Sequence, residues 1–212
     1  MIERAFVGVS RLLTGASVEW RCPSVPGVQR IYFANHSSHL DFVVIWSALP
    51  PEMRCLARPV AGRDYWEDGP VRRYVARDVF HAVLVDRAGT KNCAHASIAR
   101  MADGLGSRHS LIVFPEGTRS RNGEIGPFKS GLYYLSRTRP DVELIPVRVD
   151  NLHRILPKGE AIPVPMVGRV VFGPPVAPPD GESKRDFLER ARGALLDLGA
   201  PEGLKTCARR AA

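Results

Sequence analysis

Long apolar runs are missing from this 212-residue chain: the longest, Phe42 to Trp46, is far short of the ~20 residues that a membrane-spanning helix needs. Arg11 interrupts the N-terminal stretch where a signal peptide would carry its apolar region, so no spanning or secretory segment is expected. Cysteine is scarce, at positions 22, 55, 93 and 207, with no Cys-x-x-Cys pair. Neither a zinc ribbon nor a disulfide framework is indicated, and a reducing cytoplasm is the expected compartment. Aromatic residues make up only 8%, and no basic stretch is interleaved with Phe or Tyr, which argues against a base-stacking surface and against nucleic acid as a partner. The 19 glycines and 18 prolines follow no period, which excludes collagen-like architecture.

What is present is ordinary globular material with an unusual charge. Apolar residues are 44% and charged residues 25%, enough to build one core. Lysine supplies five of the 30 cations, so arginine carries the net charge of +8. Guanidinium groups fork onto phosphate, and such a chain suits phosphorylated substrates or anionic headgroups.

Apolar residues at Ile2, Ala5, Phe6, Val9, Leu12 and Leu13 predict an amphipathic helix over 2–13, either packed on its own domain or lying in a membrane interface. Residues 1–27 are expected to form this helix and a linker, and residues 28–212 a single α/β domain with a largely parallel or mixed sheet flanked by helices. Strands are predicted at Gln29–Ala34, Val79–Val85, Leu111–Phe114, Leu144–Val149 and Arg169–Phe172. Helices are predicted at Phe42–Leu49, Ala94–Ala102 and Lys184–Leu198, the last capped by Ser183.

Chemistry concentrates where strands end. His36 and Asp41 straddle a strand-to-helix turn, so the carboxylate can fold back onto the imidazole, fix its tautomer and leave the other nitrogen free to take a proton from an alcohol. Ser38-x-x-Asp41 is equally a capping-box pattern, in which Asp41 only satisfies backbone N–H groups. A metal site built on His36, His39 and Asp41 lacks a further clustered ligand, and neither Ser37 nor Ser38 sits in a Gly-x-Ser-x-Gly elbow. Downstream, Glu116-Gly117-Thr118-Arg119 follows an apolar strand, and Lys129 lies a short loop further on. The segment offers a hydroxyl and two cations to an anion, although Gly-Lys-[Ser/Thr] is missing. Arg87 adds a cation at the end of Val83-Leu84-Val85-Asp86.

In this order, these pieces resemble the glycerolipid acyltransferase family that includes the 1-acylglycerol-3-phosphate (lysophospholipid) acyltransferases. The four blocks are Asn35 to Asp41, Val83 to Arg87, Phe114 to Ser120, and Leu144 to Val149 with its internal Pro146. The resemblance spans about residues 30 to 150 and makes 28–212 the acyltransferase domain. It implies an acyl-CoA or acyl-carrier-protein co-substrate, no other cofactor, and a glycerophosphate-type acceptor such as 1-acylglycerol 3-phosphate. It also implies His36 as general base, Asp41 as its orienting partner, Arg87 and Arg119 as phosphate contacts, Glu116, Gly117 and Thr118 in the acceptor loop, and Lys129 beside them. A lipid hydrolase using the same histidine and a basic lipid-binding module without catalysis are the alternatives. Many family members begin with an apolar anchoring segment. Here only about thirty residues precede the first predicted strand, so the expectation is a peripheral protein on the inner face of the cytoplasmic membrane, drawn to anionic lipid.

Overall fold

The computed structural model describes residues 8, 15, 17–38, 41–86, 91–120, 122–150 and 168–199. The helix expected over 2–13 falls outside the described residues apart from Gly8. Seven strands form one sheet: β1 (Ser17–Trp20), β2 (Arg30–Ala34), β3 (Ala57–Gly62), β4 (Val83–Val85), β5 (Ser110–Val113), β6 (Glu143–Asp150) and β7 (Arg169–Phe172). Their order across the sheet is β1-β7-β6-β2-β5-β3-β4, with every neighbouring pair parallel except β6 and β7. The longer helices are α1 (Asp41–Ala48), α2 (Lys91–Leu105), α3 (Gly131–Thr138) and α4 (Lys184–Asp197).

β2 is buried at every position, as a strand covered on both faces must be. The two-residue period of the strand then divides its side chains between two layers. Tyr32 and Ala34 pack with Val44, Ile45 and Trp46 of α1, whereas Ile31 and Phe33 pack with Leu105 of α2, Leu135 of α3, and Phe187 and Leu195 of α4. Helices on both faces of a mostly parallel sheet are the expected α/β arrangement, with the mixed character contributed by the antiparallel β6–β7 pair. At the start of α4, Ser183 Oγ accepts from the Asp186 N–H at 3.2 Å, the predicted cap.

The strand predicted over Val79–Val85 begins only at Val83. Residues Val75–Val79 form a π-helical turn, and His81 takes φ +48°. Val79 and Phe80 are buried because this turn presses them onto the α1 layer, so their apolar character reflects tertiary packing rather than a β period. β1, β3 and α3 are elements that periodicity does not predict. β3 contains Pro59, which cannot donate to a ladder. The strand tolerates it because its pairing changes there: Ala57–Pro59 face β5, and Val60–Gly62 face β4. Among the described residues, no helix is long and apolar enough to cross a membrane.

Candidate active site

The C-terminal ends of β2, β3, β4 and β5 converge on one edge of the sheet, where the loops of a parallel sheet expose polar groups. His36 follows β2 by two residues, and α1 starts at Asp41. The turn between them brings Asp41 Oδ2 to 2.8 Å from His36 Nδ1. The same oxygen accepts the backbone N–H groups of Ser37 at 2.6 Å and Ser38 at 2.8 Å. The dyad and the capping reading are therefore the same structure: the cap holds the carboxylate, and the held carboxylate orients the ring. Asp41 is fully buried, whereas the imidazole keeps 18% of its surface exposed.

Asn35, next to the histidine, serves the scaffold. Its Nδ2 donates to the Val149 carbonyl, and its Oδ1 accepts from the Val149 N–H, each at 2.8 Å, locking the end of β2 to β6. Phe114, just past β5, stacks on the His36 ring at 4.2 Å between centroids and 21° between planes.

The loop after β5 wraps the histidine's main chain. Glu116, 5% exposed, accepts the His36 N–H at 2.8 Å and the Gly126 N–H at 2.9 Å through its two oxygens. The Ser120 N–H donates to the His36 carbonyl at 2.7 Å. Gly117 occupies φ +66°, a left-handed backbone that favours glycine, directly beneath the Lys129 side chain: an added Cβ would lie 2.9 Å from Nζ. Thr118 and Lys129 are exposed at the surface of this loop. Arg87 lies outside the described residues; its neighbour Asp86 is held below the usual carboxylate range by a hydrogen bond from Arg100.

A cleft of about 160 Å³ opens beside the dyad. His36, Phe114 and Arg119 line it, together with the aromatic side chains of Phe42, Tyr65, Trp66 and Phe80 and the carboxyl-bearing Asp64. Arg119 Nη1 is buried and has no hydrogen-bond partner among the described residues. Tyr65 and Trp66 come from the helical turn Arg63–Trp66 after β3, an element that the sequence does not announce; Phe114 was visible in it as the aromatic residue opening the third block. The described residues contain no group of three or more His, Cys, Asp or Glu placed to hold a metal ion. Chemically, the site offers a buried carboxylate, an oriented imidazole at a cleft, a guanidinium with one buried nitrogen free of partners among the described residues, and aromatic lining.

The Acyltransferase family model matches residues 23–150, more than half of the chain. The chain belongs to the acyltransferase family. Among curated relatives, the 1-acyl-sn-glycerol-3-phosphate acyltransferase of Salmonella typhimurium is 31% identical over 148 residues, covering 66% of this chain and 55% of the relative. The Escherichia coli protein of the same name is 30% identical, with 68% and 59% covered, and the human alpha form is 28% identical, with 82% and 59% covered. The chain thus spans a little over half the length of the curated relatives it matches. The crystal structure of the 1-acyl-sn-glycerophosphate (LPA) acyltransferase PlsC from Thermotoga maritima superposes with a TM-score of 0.69 at 19% identity, covering 94% of this chain and 80% of that one. The family drawn from the four sequence blocks is thereby borne out, and so is the α/β fold class.

Proposed function

We propose that this acyltransferase-family protein moves a fatty acyl group from a thioester, acyl-CoA or acyl-carrier protein, to the free hydroxyl of a lysophospholipid. The reading favours 1-acylglycerol 3-phosphate as acceptor and phosphatidate as product. One observation carries the reading: the His36–Asp41 pair stands at a cleft lined also by Arg119, whose buried Nη1 has no hydrogen-bond partner among the described residues. Asp41 accepts the Nδ1 proton, so Nε2 is the basic nitrogen. It removes the hydroxyl proton as the acceptor oxygen attacks the thioester carbonyl, and Asp41 stabilises the imidazolium that forms. The tetrahedral intermediate then collapses, the C–S bond breaks, and the thiolate takes the proton from the imidazolium. A thiol of pKa ~8.5 leaves readily, so the route needs neither an acyl-enzyme nor a metal.

Arg119, together with Arg87, is assigned to the acceptor phosphate, with Gly117, Thr118 and Lys129 on the loop around it. The aromatic wall suits the apolar part of a substrate. The domain does not begin at residue 28 as expected, because Ser17–Trp20 of the expected linker pairs with β7 in the same sheet; peripheral attachment to the inner face of the cytoplasmic membrane through anionic lipid goes with this reading.

The deciding experiment is a matrix of acyl-CoA and acyl-carrier-protein donors against lysophosphatidate, glycerol 3-phosphate and other lysolipids, read by product mass. New diacyl product from lysophosphatidate, absent with His36→Ala, is expected. Free fatty acid formed equally well without an alcohol acceptor would make the protein a hydrolase instead, and no turnover of any thioester would leave only lipid binding.

A further inference from the structure

Within the third block, the family resemblance groups Glu116 with the acceptor-binding residues, yet its carboxylate is turned inward. Only 5% of the residue is exposed, and both oxygens are taken up by main-chain N–H groups, of His36 at 2.8 Å and of Gly126 at 2.9 Å. A buried carboxylate is costly unless its charge meets donors, and here the donors are the backbone of the candidate base and the far end of the loop that Glu116 begins. Ser120, on the same loop, donates its N–H to the His36 carbonyl at 2.7 Å. The loop therefore grips the His36 peptide units from both sides, and Arg119 lies between the two grips, facing the same cleft as the imidazole.

We infer that Glu116 is a positioning residue that fixes His36 and Arg119 relative to one another, and makes no contact with the acceptor. The hydrogen bond from Gly126 to Glu116 closes a ring whose first residue holds the base and whose chain carries Arg119. Misplacing a reacting group by an ångström costs about 10²-fold in rate. A loosened ring should therefore lower turnover and leave ground-state affinity in place. The kinetic part of this inference rests on the acyl-transfer reading above; the spectroscopic part does not.

Two variants test it from opposite sides. Glu116→Gln presents one acceptor and one amino group to two N–H donors, so one of the two grips is lost. Gly126→Ala leaves the carboxylate in place but sets a methyl group 3.2 Å from Glu116 Oε2, forcing a shift of a few tenths of an ångström. For Glu116→Gln, turnover is expected to fall about 10-fold to 100-fold with the Michaelis constants of both substrates within about threefold of wild type. For Gly126→Ala, a smaller loss with the same split is expected. In both, the downfield Nδ1 proton of His36, assigned by its absence in His36→Ala, should shift or broaden while the circular dichroism stays native. A selective rise in the acceptor Michaelis constant with turnover retained would make Glu116 a substrate contact and overturn the inference. So would an unchanged Nδ1 proton and unchanged turnover in both variants. If Glu116→Gln does not fold, Gly126→Ala decides alone. If the wild-type protein transfers no acyl group, the kinetic reading falls and the proton resonance still decides whether Glu116 positions His36.

Discussion

Replacing Asp41 by Asn isolates the charge of the dyad from its geometry. In the wild-type protein, Oδ2 accepts from His36 Nδ1, Ser37 N and Ser38 N at 2.6–2.8 Å, and Oδ1 is buried with no hydrogen-bond partner among the described residues. An asparagine that sets its carbonyl oxygen at the Oδ2 position keeps all three acceptor contacts, and the amino group fills the place of Oδ1. What disappears is the negative charge facing the imidazolium. Taking ~4 Å between the two charge centres and an effective dielectric of about 20, that attraction is about 4 kcal/mol. At 1.36 kcal/mol per decade, it converts to a loss of about 10³-fold in turnover. The amino group, buried without a partner, should cost a further ~1–3 kcal/mol of stability, a drop of several degrees in Tm. Turnover is followed by the thiol released from the donor, after subtracting the signal of the protein's own thiols, among them the exposed Cys55. Folding is followed by thermal melts. A folded Asp41→Asn protein within tenfold of wild-type turnover would refute the dyad and leave Asp41 as a cap alone.

Other consequences can be checked separately. Arg119→Ala should raise the acceptor's Michaelis constant about 10-fold to 100-fold and the donor's far less, since a charge-assisted hydrogen bond to phosphate contributes roughly 1.5–3 kcal/mol; equal effects on both substrates would show that the loop has been misassigned. Asn35→Ala leaves the Val149 N–H and carbonyl without their partners, which should cost about 2–5 kcal/mol and lower Tm by on the order of 10 °C, and a shift under 2 °C would show that water replaces the clamp. Burial raises the Tyr32 hydroxyl to about 12, so stability is fully present below pH 10 and falls between pH 10 and 12 as the unfolded chain ionises first, by roughly 3 kcal/mol in all. Tyr32→Phe should remove that part of the alkaline slope, and parallel loss in both proteins would count against it. With a net charge of +8, the protein should bind anionic vesicles and leave them at high salt, while neutral vesicles should hold it poorly; binding indifferent to salt would show that apolar insertion dominates.

How much of this was legible in the residues depended on whether the signal was local. The His36–Asp41 turn could be read because both partners lie within one strand-to-helix junction, and β2 because its burial on two faces leaves a continuous apolar run. β3 was hidden by Pro59, which is compatible with a strand only because the pairing partner changes at that residue. α3 begins at Gly131 and carries Tyr133 and Tyr134, so its buried apolar residues Leu132 and Leu135 are too few to make a periodic pattern. The inward turn of Glu116 could not be read either. Nothing in Phe-Pro-Glu-Gly says whether a carboxylate faces solvent or the backbone of a residue eighty positions earlier.

The placement of β1 bears on how the chain is made. Among the described residues, its four residues pair only with β7, Ser17 against Arg169 and Trp20 against Phe172, and Trp20 stacks on Phe172 at 3.8 Å. Arg169 also reaches across to Glu19, whose carboxyl is held below its usual range by the hydrogen bond from Arg21 and then by Arg169. On a ribosome adding about 5–20 residues per second, the partner of β1 emerges roughly 8–30 s after β1 itself. For that interval, β2, β3, β4 and β5 can assemble around the histidine turn while Ser17–Trp20 waits with its backbone donors and acceptors in water. The first of the described strands to be synthesised thus has to wait for the last of them before it can pair.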